Sequence, residues 1–151
     1  MMARSQRCTD IVTDAVRSSM MSAVKHAKTA PEQEVRKIVR ALGLGFSVHN
    51  SNLPGSPDLA NRRKRWALFV NGCFWHGHKN CLRTTSRTPR KNARFWAQKF
   101  RDNRRRDAKS CRRLRALGYK VVIVWECALR DPFAVSERLG TILCGGIDGN
   151  R

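Results

Sequence analysis

Residues 66–81 read Trp-Ala-Leu-Phe-Val-Asn-Gly-Cys-Phe-Trp-His-Gly-His-Lys-Asn-Cys, and this stretch decides the fold. Its first half is an apolar run with the length and composition of a buried β-strand. Its second half, which follows Gly72, brings two cysteines, two histidines and two adjacent aromatic residues close together in the chain. The stretch therefore predicts a strand that leads directly into a site for chemistry.

The cysteines and histidines of this stretch have the spacing of metal ligands. Cys73, His78 and Cys81 offer thiolate and imidazole groups that could converge on one tetrahedral ion. Cys127 is a fourth candidate, because it follows a second apolar run over residues 121–125. If the two runs are neighbouring strands, Cys127 completes a structural zinc site of three cysteines and one histidine.

Two alternatives to this zinc site are left open by the sequence. Free cysteines are often buried as ordinary apolar side chains, so the thiols could be unconnected. His76 could be the ligand in place of His78. The two imidazoles would share a face if residues 74–78 are extended, whereas a turn at Gly77 would separate them. If His78 is the ligand, His76 is available to take the proton of an attacking water, which suits a neutral imidazole.

Charge and composition restrict the partner and the compartment. The 151-residue chain carries a formal net charge of +20, yet 41% of its residues are hydrophobic, which excludes a disordered polyelectrolyte. A folded domain with so positive a surface is expected to bind nucleic acid. No run is long enough to cross a membrane and no signal sequence is visible, so we expect a cytosolic protein whose cysteines bind metal instead of forming disulfides.

Periodicity divides the chain into an N-terminal arm over residues 1–28, a main domain over 29–145 and a tail over 146–151, and on so basic a protein we expect the arm to contact DNA. In the main domain, a capping box formed by Thr29 and Glu32 opens a helix that stops at Gly43. The other expected elements are a short strand at 46–48, a central strand at 66–70, a basic loop at 83–94, a long helix at 95–117, a fully buried strand at 119–125 and a last helix from Pro132. This order predicts an α/β fold with a mixed central sheet flanked by helices.

The acidic residues need an explanation in so basic a chain. Asp58 follows a Pro-Gly-Ser-Pro turn, where it could bind Mg²⁺ or cap the turn through its own backbone. Lys99, Asn103 and Asp107 recur every fourth residue and hence share one face of the long helix. Asp107 could orient a catalytic histidine or simply pair with neighbouring arginines.

Phe74 and Trp75 are adjacent, so they cannot both point into one regular core. Next to a metal site on a basic surface, aromatic side chains can stack on bases or wedge between them. Packing of one of the two in the core is the alternative.

Four motifs together resemble the very short patch repair (Vsr) DNA mismatch endonucleases. These are Leu-Pro-Gly-Ser-Pro-Asp at 53–58, Gly-Cys-Phe-Trp-His-Gly-His at 72–78, Lys-x-x-x-Asn-x-x-Arg-Asp at 99–107 and Val-Trp-Glu-Cys-Ala-Leu at 124–129. The resemblance covers roughly residues 17–143 in the same order.

The resemblance implies a restriction-endonuclease-like fold and a Mg²⁺-dependent, strand-specific nick on the 5′ side of the thymine in a T:G mismatch left by deamination of 5-methylcytosine. It also implies a bacterial cytoplasmic protein, associated with the nucleoid, that binds double-stranded DNA as a monomer beside other mismatch-repair proteins.

The same resemblance assigns roles to residues of this chain. It implies catalytic roles for Asp58, His76, Asp107 and Glu32, with Mg²⁺ bound by Asp58 and the backbone carbonyl of Val70. It implies structural zinc on Cys73, His78, Cys81 and Cys127. It implies intercalation beside the mismatch by Phe74, Trp75 and Met21, and DNA binding by Lys99, Asn103, Arg104 and Arg105.

The chain departs from the family pattern at two places. Asn71 stands where the best-known members carry a histidine, and the step from His78 to Cys81 is one residue longer than in some relatives. The alternative function is a non-catalytic, zinc-stabilised DNA-binding module, in which Asp58 and His76 are structural. An RNA-binding protein and a hydrolase with catalytic zinc are two further alternatives.

Overall fold

The computed structural model of the protein describes residues 29–145. The expected arm over residues 1–28, with Met21, and the expected tail over residues 146–151 lie outside the described residues. No helix within residues 29–145 combines the length and the apolar character that crossing a bilayer requires.

A three-stranded sheet in the order β1-β2-β3 forms the centre of the protein. The elements are α1 (Ala30–Ala41), β1 (Leu59–Asn61), β2 (Trp66–Asn71), α2 (Leu82–Thr85), α3 (Ala93–Ala116), β3 (Lys120–Trp125) and α4 (Pro132–Cys144), with short 3-10 turns at Arg90–Asn92 and Glu126–Arg130. Strands β1 and β2 are antiparallel, whereas β2 and β3 are parallel. The prediction of a mixed sheet flanked by helices is confirmed.

Helices cover both faces of this sheet. Trp66 and Leu68 of β2 and Val122 and Val124 of β3 pack in one core with side chains of α1 and α4. The alternate residues, among them Ala67, pack on the other face against Leu114 of α3. Successive side chains of a strand point to opposite faces, so β2 is enclosed by helices on both sides.

Helix α1 begins and ends where the sequence predicts. The Thr29 hydroxyl accepts a hydrogen bond from the Glu32 N–H at 3.4 Å, and Pro31 lies in the first turn of α1. After α1, Gly43 has a φ of +70°, a left-handed conformation that stops a helix at low cost. Asp131 caps α4 through a hydrogen bond from the Ala134 N–H at 3.0 Å.

Three local predictions are wrong. Residues 46–48 form no strand and only one bridge, Ser47 to Ala60, because β1 is too short to offer a longer partner. The basic segment 83–94 is not all loop, since it contains most of α2 and a 3-10 turn. Strand β3 is not fully buried: Val122 and Val124 are buried, while Ile123 between them is only half-buried where a cleft opens above the sheet.

Candidate active site and metal centre

A cleft of about 750 Å³ opens where β2 ends, between α1, α3 and the turn that precedes β1. Four carboxylates line it, although the protein as a whole is strongly basic. They belong to Glu32, Asp58, Asp107 and Glu126. Acidic groups gathered in one cleft of a cationic protein indicate a site for a metal ion.

Asp58 is fixed at this cleft by the adjacent strand. Its Oδ2 accepts a hydrogen bond from the Val70 N–H at 2.7 Å, so the carboxylate is not used to cap its own turn. The N–H and C=O of one residue point to the same side of a strand. The Val70 carbonyl therefore faces the Asp58 side as well, beyond the end of β1. A carboxylate oxygen and a carbonyl oxygen on one side of a cleft are ligands that Mg²⁺ takes.

The carboxyl of Asp58 has a pKa above its ordinary value. Burial is the main cause, and the negative charge of Glu32 acts in the same direction. The hydrogen bond from the Val70 N–H, with the charges of His76 and Arg36, opposes the rise in pKa without cancelling it. A cation bound in the cleft would relieve this desolvated carboxylate, so the electrostatics fit a metal ligand.

Glu32 is a second carboxylate that lines this cleft and is only 5% exposed. Its side chain forms an ion pair with Arg36, one turn further along α1. The capping box at Thr29 uses the Glu32 N–H, not its carboxylate. Glu32 can therefore support the helix end and face the cleft at the same time.

His76 is held by Asp107 from α3. The imidazole Nδ1 lies 2.6 Å from the Asp107 Oδ2, and both side chains line the cleft that contains Asp58. Arg106, the nearest arginine to this carboxylate, is 4.0 Å away. A carboxylate bonded to Nδ1 leaves Nε2 as the nitrogen that can accept a proton. The arrangement suits a general base with a fixed orientation.

Asn71 is also part of this site. It is 6% exposed, and it lines both the cleft and a smaller cavity of about 420 Å³ behind the pair of His76 and Asp107. The amide side chain at this position can donate and accept hydrogen bonds, but it cannot act as an acid or a base near neutral pH.

The proposed zinc ligands meet behind the cleft. The ligand atoms of Cys73, His78, Cys81 and Cys127 all lie within 4.8 Å of one another. Tetrahedral zinc with bonds of about 2.0–2.3 Å separates its ligand atoms by about 3.5–3.8 Å, so a small inward shift closes the site. Three thiolates and one imidazole form a donor set typical of structural zinc, and the residues present fit that ion.

The register of the sheet explains why distant cysteines meet. Asn71 pairs with Trp125 at the ends of the parallel strands β2 and β3. Cys73 and Cys127 each lie two residues beyond that pair, and the Cys127 N–H lies 3.4 Å from the Cys73 Sγ. The expectation that neighbouring strands bring Cys127 to the cluster is confirmed.

A turn at Gly77 separates the two histidines. Gly77 has a φ of +57°, and a Cβ placed there would come within 2.7 Å of the Phe100 Cβ. The turn directs His76 to Asp107 and His78 to the cysteines, where its Nδ1 lies 3.5 Å from the Cys127 Sγ.

The thiols of the cluster differ in their electrostatics. Burial raises the pKa of the Cys73 thiol to about 12 in the absence of metal. The pKa of Cys81 is lowered even though burial acts to raise it, because backbone N–H groups at Arg83 and Thr84 and neighbouring thiols stabilise its thiolate.

The cluster is fastened to the rest of the site by polar side chains. Glu126 pairs with Arg83 at 2.6 Å, and its other carboxylate oxygen lies 3.4 Å from the Cys73 N–H. The Thr84 hydroxyl donates to the Cys73 carbonyl at 2.8 Å. These bonds join three separate ligand-bearing segments.

Phe74 and Trp75 occupy different environments. Phe74 is half-buried and packs against Trp96 and Phe100, with ring centroids 4.8 and 5.6 Å away. Trp75 is 39% exposed at the rim of the cleft. Trp75 is therefore free to contact a ligand as the structure stands, whereas Phe74 would have to leave an aromatic cluster.

The polar residues of α3 hold the turn that carries both histidines. The Asn103 side chain donates to the Trp75 carbonyl at 2.7 Å, and Arg104 donates to the Gly77 carbonyl at 2.9 Å. The Lys99 ammonium lies 5.6 Å from the centroid of the Trp96 ring. Arg105 is exposed. DNA binding by these four residues stays a prediction.

Sequence reasoning missed two residues of the site. Arg36 stands four residues after Glu32, a spacing at which an ion pair on one helix face is predictable. Glu126 was visible only as part of the Trp-Glu-Cys motif, and nothing in the sequence indicates its bonds to Arg83 and Cys73.

Comparison with known proteins adds the relatives of this chain. The family model described as DNA mismatch endonuclease Vsr matches residues 9–83. The Type II nicking enzyme V.XorIIP of Xanthomonas oryzae pv. oryzae is 38% identical over 135 residues, which cover 89% of this chain and 97% of that protein. The DNA mismatch endonuclease Vsr of Escherichia coli K12 is 38% identical over 141 residues, 90% of this chain and 88% of the relative. The Type II nicking enzyme V.NmeAIP of Neisseria meningitidis is 34% identical over 135 residues, 89% and 94%.

Proposed function

This chain belongs to the Vsr family of DNA mismatch endonucleases, and we propose that it makes a Mg²⁺-dependent nick on the 5′ side of the thymine in a T:G mismatch. As a member of this family, the protein is a DNA endonuclease of mismatch repair. We propose in addition which mismatch it prefers, which metal it uses and which roles its residues have.

One observation carries the proposal: His76, oriented by Asp107, faces the same cleft as Asp58. Hydrolysis of a phosphodiester needs a group that takes the proton of water and a positive charge that stabilises the developing anion. His76 would take that proton while Asp107 stabilises the imidazolium. Asp58 and the Val70 carbonyl would hold Mg²⁺, with Glu32 nearby.

Bound at that position, Mg²⁺ would neutralise negative charge on the phosphate and on the leaving oxygen. The protein's own contribution is to hold Asp58, His76 and Asp107 in fixed positions on three different elements. Their hydrogen bonds to Val70 and to one another fix these positions before DNA binds.

We propose a structural role for zinc on the four clustered ligands. His76 lies between Cys73 and His78 in the chain, so an ion that holds both ends of this short segment also positions the base. A closed set of four protein ligands leaves no open position for catalysis by zinc itself.

Selectivity would come from aromatic side chains at the rim of the cleft. A mismatched step costs less to unstack than a paired one, so a wedge favours mismatched DNA. Trp75 is the exposed wedge, Phe74 would join it on rearrangement, and Met21 would act from the N-terminal arm. Lys99, Asn103, Arg104 and Arg105 would add contacts to DNA, mainly to phosphates, which give affinity without sequence selectivity.

The remaining features of the proposal concern the architecture. We assign a restriction-endonuclease-like fold to the endonuclease domain over residues 29–145. The arm over residues 1–28 would contact DNA, and 146–151 would be a tail. A monomer suffices to nick one strand at an asymmetric lesion. We also propose that the protein acts on bacterial DNA at the nucleoid, beside other mismatch-repair proteins.

The test is cleavage mapping on a panel of mismatched duplexes with and without Mg²⁺. We expect one nick, on the 5′ side of the thymine of the T:G pair, only when Mg²⁺ is present. His76→Ala should bind the T:G duplex as the unaltered protein does and should lose nicking. Nicking without a divalent ion, or equal nicking of matched and mismatched duplexes, would contradict the proposal.

A further inference from the structure

The basic turn between β1 and β2 lies far from the cleft and has no role in the activity described so far. It reads Arg62-Arg63-Lys64-Arg65, and all four residues are exposed. Strand β2 begins after this turn and ends at the cleft, so its six residues separate the two by about 17 Å.

The turn is a rigid structure. The Lys64 N–H donates to the Asn61 side chain at 2.8 Å, and that side chain donates to the Gly45 carbonyl at 2.7 Å. The Arg65 guanidinium donates to the Leu117 carbonyl at 3.1 Å at the end of α3. The backbone that carries Arg63 and Lys64 is therefore already ordered, so a ligand at this turn costs little backbone entropy and only the two side chains would lose freedom.

Two side chains at the tip of this turn are available for a partner. Within residues 29–145, Arg63 and Lys64 form no ion pair or side-chain hydrogen bond. Each keeps its full positive charge exposed to solvent. Their natural partner is an anion, and the repeated positive charge indicates a polyanion.

A line of basic residues on α3 connects the turn to the cleft. Lys99 and Arg106 line the cleft, and Arg113 follows at the same seven-residue interval, two helical turns nearer to the C-terminal end of α3. Residues seven apart lie on the same side of a helix. That end of α3 contacts the turn through Arg65 and Leu117. Lys99, Arg106, Arg113, Arg63 and Lys64 are called the basic track below.

We propose that the basic track binds the phosphate backbone of the duplex on one side of the mismatch, with Arg63 and Lys64 at its far end. The proposal rests on the function proposed above, because it starts from DNA seated in the cleft. A span of about 17 Å corresponds to about five base pairs, since phosphates of one strand follow one another every 3.4 Å or so along the axis. The turn would thus contact the duplex about half a helical turn from the nicked phosphate.

Charge continuity favours this occupant over an acidic protein. The track begins inside the cleft of a DNA endonuclease and continues in steps of about 10 Å along α3. Three positive charges on one side of α3 and two on the adjoining turn suit a run of phosphates, and contacts of this kind depend strongly on salt. Binding of an acidic protein or of a second duplex at the turn is an outcome that would overturn the proposal.

The experiment compares Arg63→Gln/Lys64→Gln with the unaltered protein on T:G duplexes that have two long arms, or one arm cut to about three base pairs. Kd is measured at several salt concentrations without Mg²⁺. Cutting one particular arm should weaken binding by the unaltered protein several-fold and should have no effect on the double variant. On the long duplex, the slope of log K against log salt should fall by about 2, one phosphate contact for each lost charge.

A matched control is Arg112→Gln/Arg130→Gln, which removes two exposed charges from α3 and from the 3-10 turn before α4, outside the cleft and the track. It should keep the dependence on arm length. The proposal would be overturned if binding by the unaltered protein and by Arg63→Gln/Lys64→Gln depended equally on arm length. It would also be overturned if the unaltered protein formed a ternary complex with a second duplex and only Arg63→Gln/Lys64→Gln failed to form it. Nicking at saturating T:G DNA should be unchanged in both variants. If the unaltered protein shows no Mg²⁺-dependent nicking, the proposed function is contradicted, and the binding data still test the track separately.

Discussion

Replacement of Asp58 by asparagine should separate the stability of the protein from its activity. Asparagine keeps an oxygen that can accept the Val70 N–H, whereas Asp58→Ala leaves that N–H without a partner. An unsatisfied, part-buried donor costs about 1–3 kcal/mol. For a protein of this size 1 kcal/mol corresponds to about 2–4 °C, so Asp58→Ala should melt about 2–12 °C below Asp58→Asn.

The pH dependence of these variants follows from the raised pKa of Asp58. Between the unfolded value near 3.8 and the higher value in the folded protein, the folded state binds a proton that the unfolded state has lost. Stability therefore falls as pH rises through this window. Asp58→Asn has no such proton, so without Mg²⁺ its stability relative to the unaltered protein should increase with pH and become constant above the folded pKa.

The assay is thermal unfolding over a pH series with zinc retained and Mg²⁺ omitted, followed by single-turnover nicking with Mg²⁺. Both variants should lose nicking, and addition of Mg²⁺ should stabilise only the unaltered protein. The reasoning is refuted if Asp58→Asn melts as low as Asp58→Ala, or if either variant nicks at the rate of the unaltered protein.

Three further predictions concern the base, the zinc and the turn between them. His76→Ala should lower the single-turnover nicking rate by about 10²- to 10⁴-fold, which is the contribution of a general base. Asp107→Asn should lower this rate by about 10- to 150-fold, since a hydrogen bond to a charged group contributes about 1.5–3 kcal/mol. Unchanged nicking rates would exclude these roles. Cys127→Ser should lower both the zinc content, measured by elemental analysis, and the melting temperature, whereas Cys111→Ser, outside the cluster, should keep its zinc. Gly77→Ala should lower zinc content and nicking together, because the new Cβ would clash with Phe100. Gly43→Ala is also at a positive φ but has no neighbour within 4 Å, so it should lower only the free energy of unfolding, by the backbone strain of about 1–2 kcal/mol. Equal losses of zinc and nicking in both variants would contradict the steric argument.

Helices α1, α3 and α4 and the two long strands were predictable because their signals are local. The capping residues of α1 and the apolar runs of β2 and β3 depend on neighbouring positions in the chain. The strand expected at 46–48 failed because pairing needs a partner of sufficient length, and that length is set by the turns around β1. Burial of β3 was overestimated because an apolar run does not show where a cleft opens above it.

The site was predictable where chemistry requires particular residue types at short spacing, as in the Cys/His cluster. The choice between His76 and His78 depends on the φ of Gly77 and on the space that Phe100 leaves, neither of which is written in the local pattern. The contacts of Glu126 were hidden for another reason: Arg83 and Cys73 are far from it in the chain and meet it only through the fold.

The pairing of Asn71 with Trp125 has a consequence for how the protein reaches its native state. A slip of one residue between β2 and β3 would turn every side chain of one strand to the wrong helix layer. The same slip would separate Cys73 from Cys127, so the misaligned sheet could not gather four ligands. Tight capture of an ion by the four ligands would thus stabilise only the correctly aligned chain, and the proposed zinc would select the correct strand alignment during folding.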